Sequence, residues 1–180
     1  MKKTVIMVFM LCCVATAALA GSGKIAYVDT QTVFDKTKLG QKYQGIVREY
    51  YESRKKILDM DAEEIQKAQD EYKKQAAVMN EKARKEKEDA INRKMGEFEK
   101  KRNEFSGEIS KKNDDLSNDF NQSLIVVLKD IAKKEKVSMV LNKTINILSK
   151  GEVPAVLYAD DDLNLTDKVI VELDKKMETK

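Results

Sequence analysis

Residues 78–88 read VMNEKARKEKE, and the behaviour of the chain at Asn80 decides the fold. Helix-favouring residues stand on both sides of it. Asn is a strong N-cap and a helix stop, because its amide competes for backbone hydrogen bonds. Glu81 beside it suits the positive end of a new helix. Outward from Asn80 a proline-free zone extends from about Gly40 to Lys136, so Asn80 lies near its middle, 40 residues from one end and 56 from the other. Apolar residues recur through the first half at spacings of three and four: Tyr43, Ile46 or Val47, Tyr50, then Leu58, Ile65, Ala68, Tyr72, Ala76, Met79 and Ala83. The second half continues with Ile91, Met95, Phe98, Phe105, Ile109, Leu116, Phe120 and Leu124. Leu58, Ile65, Tyr72 and Met79 are each seven apart, as are Ile91, Phe98 and Phe105. Sustained heptads with charges between them predict a coiled-coil seam. Arg102 and Lys112 fall on seam positions, where polar residues weaken packing and fix register. Periodicity alone leaves two forms open. The chain folds back at Asn80 into two antiparallel helices of roughly 60 and 80 Å, or one unbroken helix dimerises and Asn80 is a surface residue.

The flanks read differently. KIAYVD, residues 24–29, has the β-branched and aromatic content of a short strand, and Thr30 offers an N-cap before QTVF. After Lys136, VSMVLNK (137–143) and VPAVLY (153–158) read as strands, with Pro154 near the start of the second, where a missing donor is tolerated. A polar turn, ADDDLN (159–164), precedes Thr166, which suits the N-cap of a last helix containing Val169, Ile170 and Leu173. None of these short pieces can bury an apolar face alone, so they have to meet. The fold class is therefore α+β and mostly α. Residues 21–39 and 137–180 form a small β-containing head, and residues 40–136 form a long helical zone, either a hairpin arm with its tip near Asn80 or a continuous rod.

The first twenty residues read as an export signal. Lys2 and Lys3 precede an apolar run from Val5 to Leu19, and Ala18-Leu19-Ala20 is a small-x-small cleavage pattern followed by Gly21. The run is shorter than the ~20 apolar residues of a membrane span. Cys12 and Cys13 sit inside it, after Met10 and Leu11, which does not match a lipoprotein junction. Removing residues 1–20 leaves 160 residues with no cysteine, no His and no Trp, and with 32 basic against 31 acidic side chains, since the signal holds two lysines and no acid. That balance argues against a nucleic-acid binder. High charge and few aromatics suit long solvated helices better than one large core.

Three stretches resemble the Skp/OmpH family of periplasmic chaperones. KIAYVDTQTVFDKTKLGQK (24–42) is similar to the family's first strand and helix entry, and VMNEKARKEKE to its arm-tip segment. VLYADDDLNLTDKVIVELDKK (156–176) is the most specific: Ala159, Asp160, Leu165, Thr166 and Asp167 fit the pattern, while Asn164 stands where Asp is usual and Asp161 where Pro is common. The resemblance covers essentially the whole chain after the signal. It implies the hairpin form and a jellyfish-shaped homotrimer with a central β-rich body and three arms around a cavity. It also implies ATP-independent capture of unfolded outer-membrane β-barrel proteins in the periplasm. Ile25, Tyr27, Val140 and Val156 are then strand residues of the trimer body.

No catalytic constellation is visible: without His or a retained Cys, the usual general bases and thiolates are missing. No cofactor is expected, and no metal, because Asp160, Asp161 and Asp162 lack the alternating ligand spacing of a calcium loop. Tyr50, Tyr51 and Met60, beside the seam or at its ends, are candidates for contact with a client, as are Met79 and Met95, which also fit the heptad; Met and Tyr adapt to many surfaces. From Lys82 to Arg102 nine basic residues face five acidic ones. Lys82, Arg84, Lys85, Lys87, Arg93 and Lys94 are either a solvated helix face or a positive surface for acidic clients, anionic lipid or lipopolysaccharide. A structural coiled-coil spacer or tether of the cell envelope is the competing function, and a continuous rod rather than a hairpin would favour it. N-terminal sequencing of the exported protein is expected to begin at Gly21, in the soluble fraction; a retained signal in the membrane fraction contradicts this reading.

Overall fold

A computed structural model describes residues 23–147 and 151–178. The expected export signal and the Ala20–Gly21 junction lie outside the described residues. In chain order the elements are β1 (Lys24–Val28), α1 (Thr30–Lys36), α2 (Lys38–Gln75), α3 (Glu81–Lys134), β2 (Val137–Asn142), β3 (Thr144–Ile147), β4 (Gly151–Pro154), a single 3₁₀ turn (Asp161–Leu163) and α4 (Thr166–Glu178). Two compact units divide the chain, residues 38–122 and the remainder. The division places residues 123–136, read from sequence as the end of the arm, with the β-containing unit. Among the described residues no helix is long and apolar enough to cross a membrane.

The β-containing unit is organised by a parallel pair. β1 lies beside β2 with Ala26 opposite Val140 and Val28 opposite Asn142. Parallel neighbours need a crossover of a dozen residues or more; here it contains all of α2 and α3. The pleat sends Ala26 and Val28 to one face, where they are buried, and leaves Ile25 and Met139 exposed on the other. The buried set also includes Val33 of α1, Leu124, Val127 and Ile131 of α3, and Leu165, Val169 and Leu173 around α4. A register shift between Lys24 and Ile25 leaves Ser138 as the extra residue on β2. Gly23 sits against that bulge: a Cβ there would lie 1.7 Å from the Ser138 hydroxyl oxygen, so a side chain is excluded.

Side chains tie the chain ends to the pair. The Asp29 carboxylate caps α1 by accepting from the Thr32 N–H at 2.9 Å. Burial pushes its pKa up, but the Thr32 bonds and the nearby Lys143 ammonium win and hold it below the usual range. Asn142 Oδ1 accepts from the Thr30 N–H and hydroxyl, both at 3.2 Å. Thr166 Oγ1 accepts from the Asp29 N–H at 3.0 Å and donates to Asn164 Oδ1 at 2.6 Å. Thr30 and Thr166 are thus the first residues of their helices, not the N-caps expected of them. Asp29, one residue earlier, has the extended backbone and the carboxylate that capping α1 needs.

The end of this unit departs from the sequence reading. β3 was not expected, and it pairs antiparallel with β4 from Thr144 opposite Pro154 to Ile147 opposite Gly151. The expected strand over 153–158 ends instead at Pro154, which cannot donate to a ladder. Val156 therefore lies outside any strand. The N–H groups of Ala155 and Val156 both bond the Lys143 carbonyl, at 2.9 and 3.2 Å, which holds the segment beside the residue that precedes β3. Ile25, Tyr27 and Val140 are strand residues as read.

Burial sets a clear expectation for this core. Leu165 is fully buried, so Leu165→Ala is expected to cost about 2–5 kcal/mol. Val171, on the exposed side of α4, is expected to tolerate Ala within ~0.5 kcal/mol. Urea unfolding of both variants at unchanged slope checks the contrast.

Candidate functional site

Unit 38–122 is an antiparallel hairpin of α2 and α3, the coiled coil that the heptads predict. Its register can be read from the polar ties that cross it. Tyr43 donates to Asp119, Arg54 Nε to Glu108 at 3.2 Å, and Lys101 Nζ to Asp61 at 2.5 Å. In each pair the two residue numbers add to 162, half of which is 81. Tyr72 donates to Glu88, and Lys94 bonds Glu64 at 2.9 Å, with half-sums of 80 and 79. One register therefore holds from Tyr43 to the tip, with the reversal centred beside Asn80. The reversal occupies residues 76–80. Asn80 Oδ1 accepts from the Ala83 N–H at 2.8 Å and caps α3. Arg84 Nη2 donates to the Ala76 carbonyl at 3.0 Å and satisfies the end of α2.

The seam consists mostly of half-buried side chains, with Ile91 buried, as a two-helix contact allows. Leu58, Ile65, Tyr72, Ala76 and Met79 of the first strand of the hairpin turn inward, as do Ile91, Phe98, Phe105, Ile109 and Leu116 of the second. Lys112 is half-buried on the seam as expected, but Arg102 is exposed and paired with Glu99 at 2.6 Å. Lys101 takes the inward position between Phe98 and Phe105. A straight helix drifts by ~20° per heptad from a strict seven-residue repeat. The series Met95–Arg102–Ile109–Leu116 therefore starts on the flank and reaches the seam only at Ile109.

The candidate contact residues separate into two kinds. Tyr50 is committed to the hairpin: its hydroxyl donates to Glu108 and accepts from Arg54 Nη2, both at 2.8 Å. The Arg54 guanidinium lies 4.2 Å from the Tyr50 ring centre and 5.2 Å from that of Phe105, so it bridges the helices through two rings and one carboxylate. Met79 is half-buried within the reversal. Tyr51 at 52 % exposure, Met60 at 58 % and Met95 at 44 % remain open to a partner, and Met95 Sδ accepts a 3.6 Å bond from Gln69. The sequence reading passed over Ile57 and Val78, which are also exposed, Val78 at 87 % in the reversal. Ile57 was detectable, because Ile57 and Leu58 are adjacent and cannot both face one seam. The Arg54–Glu108 bridge carried no sequence signal, since long-range pairing partners are invisible before the register is known.

The basic residues Lys82, Arg84, Lys85, Lys87, Arg93 and Lys94 are all exposed along the first turns of α3. Lys94 is paired with Glu64 and Arg84 with the backbone, so these two are partly occupied. The exposed apolar and basic residues are strung along the hairpin and do not converge on a pocket. Among the described residues no group of three or more His, Cys, Asp or Glu is placed to hold a metal ion. Asp160 and Asp162 are bonded instead to the Tyr158 hydroxyl and to Lys24.

Residues 24–173 match the OmpH family, described as outer membrane protein (OmpH-like). The chain belongs to the OmpH-like family. A crystal structure from Caulobacter crescentus CB15, of a candidate outer membrane chaperone (OmpH-like), superposes with a TM-score of 0.75 at 12 % identity. The match covers 86 % of this chain and 85 % of that one. At this identity the likeness is one of fold. No curated protein matches the sequence.

The polar ties make the hairpin sensitive to pH at both ends of the scale. Burial first, then the bond to Asp119, pushes the Tyr43 phenol up to about 12. Its stabilisation is complete below its unfolded value near ~10 and is lost as pH rises from there through about 12. The bonds from Tyr50 and Arg54 hold Glu108 below the usual carboxylate range. Its contribution is present above the unfolded value and lost as pH falls through the folded one. Melting temperatures followed by circular dichroism are expected to fall on both limbs. Tyr43→Phe should flatten the alkaline fall and Glu108→Gln the acid fall.

Proposed function

We propose that this protein is a periplasmic holdase chaperone, exported through a cleaved signal and homotrimeric. It keeps unfolded outer-membrane β-barrel proteins from aggregating, without ATP, cofactor, metal or enzymatic activity. Membership of the OmpH-like family supports the class. The observation that carries the reading is the apolar surface left over when the hairpin has closed: Tyr51, Ile57, Met60, Val78 and Met95. A scattered set makes many weak contacts along an extended chain and releases it without an energy source. Unfolded barrels present the complementary problem, alternating apolar residues and unpaired edges that aggregate. The exposed lysines and arginines of α3 add long-range attraction for acidic clients and for anionic lipid headgroups, lipopolysaccharide among them. Nucleic acid has no place in this reading.

The trimer rests on the family resemblance and draws support from the β-containing unit, where Ile25, Met139, Leu141, Ile145 and Ile147 are exposed. Apolar side chains gathered on a small unit in this way mark a surface for another protein. Tyr27, half-buried beside them and opposite Leu141, belongs to that surface, whereas Val140, opposite Ala26, lies on the other face of the pair. The spacer alternative drew on a continuous rod, and the reversal at 76–80 removes that support.

The exported protein is expected to suppress light scattering by a urea-diluted outer-membrane barrel, equally with and without ATP. Deleting Gln66 to Asn92, which cuts both helices at matched register, is expected to leave a trimer and abolish protection. Replacing Lys82, Arg84, Lys85 and Lys87 with Gln should slow capture at low salt and matter little at high salt, because the Debye length is already ~10 Å at 0.1 M. If the shortened protein protects clients as well as the full-length one, the holdase assignment to the hairpin is wrong.

A further inference from the structure

Without the expected signal the chain has no Cys, His or Trp, and its methionines are Met60, Met79, Met95, Met139 and Met177. Their thioethers are then the only sulfur it offers to an oxidant, with no thiol beside them to react first. Burial separates them. Met79 and Met177 are half-buried. Met139 is exposed on the face of the β1–β2 pair proposed for another copy. Met60 and Met95 are exposed on α2 and α3, within the apolar set proposed to meet clients. Met95 is also tied across the hairpin, where Gln69 Nε2 donates to its Sδ at 3.6 Å. A thioether sulfur is a weak acceptor. A sulfoxide oxygen on that sulfur gives the Gln69 amide a stronger one, so oxidation of Met95 keeps the tie while it changes the surface.

We propose that Met60 and Met95 are sites of reversible oxidation, and that their sulfoxides turn the hairpin from holding clients to releasing them. The switch rests on the holdase reading above. With hydrogen peroxide the step is a two-electron oxygen transfer. A lone pair of Sδ attacks one peroxide oxygen, and the S–O bond forms as the O–O bond breaks. The proton of the attacked oxygen passes to the second oxygen, which leaves as water. A dithiol reductant reverses the step: its two protons carry the sulfoxide oxygen away as water, and it becomes a disulfide. Each oxidation replaces a flexible apolar contact with a polar, chiral group. A client that covers the sulfoxide takes that oxygen from water without a partner, which weakens the complex. Outside the seam the same change leaves the packing of α2 on α3 intact. Met79 is the contrast, because it turns inward and a sulfoxide there works against the reversal.

The exported protein is exposed to limiting hydrogen peroxide, the reaction is stopped with catalase, and the product is mapped by peptide mass. Met60 and Met95 are expected to gain one oxygen each before Met79 does. The melting temperature by circular dichroism should stay that of the parent. The concentration needed for half-protection of an outer-membrane barrel should rise by about threefold or more. Methionine sulfoxide reductases A and B with dithiothreitol should restore it, and no recovery overturns reversibility. Met60→Leu combined with Met95→Leu keeps apolar side chains of similar volume and removes both sulfurs. This variant is expected to protect as the parent does, before and after peroxide. Untreated parent that does not protect overturns the holdase reading and the switch with it. Parent that protects equally in both states overturns the switch alone. So does a double variant that loses as much protection on oxidation as the parent, because the loss then lies elsewhere. Earlier oxidation of Met79, or a melting temperature that falls with the loss of protection, also overturns the proposal.

Discussion

The mutual burial of two narrow apolar stripes holds the hairpin together. Neither stripe is wide enough for a globular core, and neither helix would be stable in water on propensity alone. Each supplies the other with an apolar face over the stretch from Tyr43 to Met79. Because the contact is one side chain deep, it cannot fix register by packing density. The polar ties do this instead. Three tyrosines of α2 reach carboxylates of α3, at Asp119, Glu108 and Glu88, and two lysines of α3 reach back to Asp61 and Glu64. Shifting the helices by one turn would separate all five, so the register that buries the stripes is also the one that pairs the charges.

The β-containing unit solves a different problem. Its first strand and its second are separated in sequence by the whole hairpin, yet they are parallel neighbours in register. Closure entropy grows only with the logarithm of loop length, so a long crossover is tolerated when what closes it is specific. Specificity comes from a small polar network at the strand ends, where Asp29, Thr30, Asn142, Asn164 and Thr166 satisfy one another's donors and acceptors. No buried side-chain nitrogen or oxygen among the described residues is left without a partner. The ADDDLN turn thus serves as the joint that brings α4 to β1.

Much of this was legible in the sequence because it is periodic. The inward positions Leu58, Ile65, Tyr72 and Met79 follow from a seven-residue repeat, and β1 and β2 from their β-branched content. The readings that failed are the ones periodicity cannot reach. Lys101 replaces Arg102 on the seam because helical drift accumulates along α3. Asp29 replaces Thr30 as the cap because both residues are capable and only the backbone angle decides. Val156 falls outside a strand because Pro154 ends the ladder and β3, unremarkable in sequence, takes its place. Tyr50 looked like a free aromatic because its partners Arg54 and Glu108 become visible only once the register is set.

That last case shows why the contact surface is harder to read than the fold. Tyr50 and Tyr51 are adjacent and chemically identical, and only their angular position on α2 separates a cross-helix tie from an exposed ring. Met79 and Met95 divide in the same way, one half-buried within the reversal and one on the flank. The proposed surface for unfolded clients has no obligatory geometry, so it can be built from whatever the seam does not use. Its residue types then overlap with those of the seam itself. The proposed binding surface of this hairpin is therefore defined by subtraction, and it becomes definable only after every residue that closes the hairpin has been assigned.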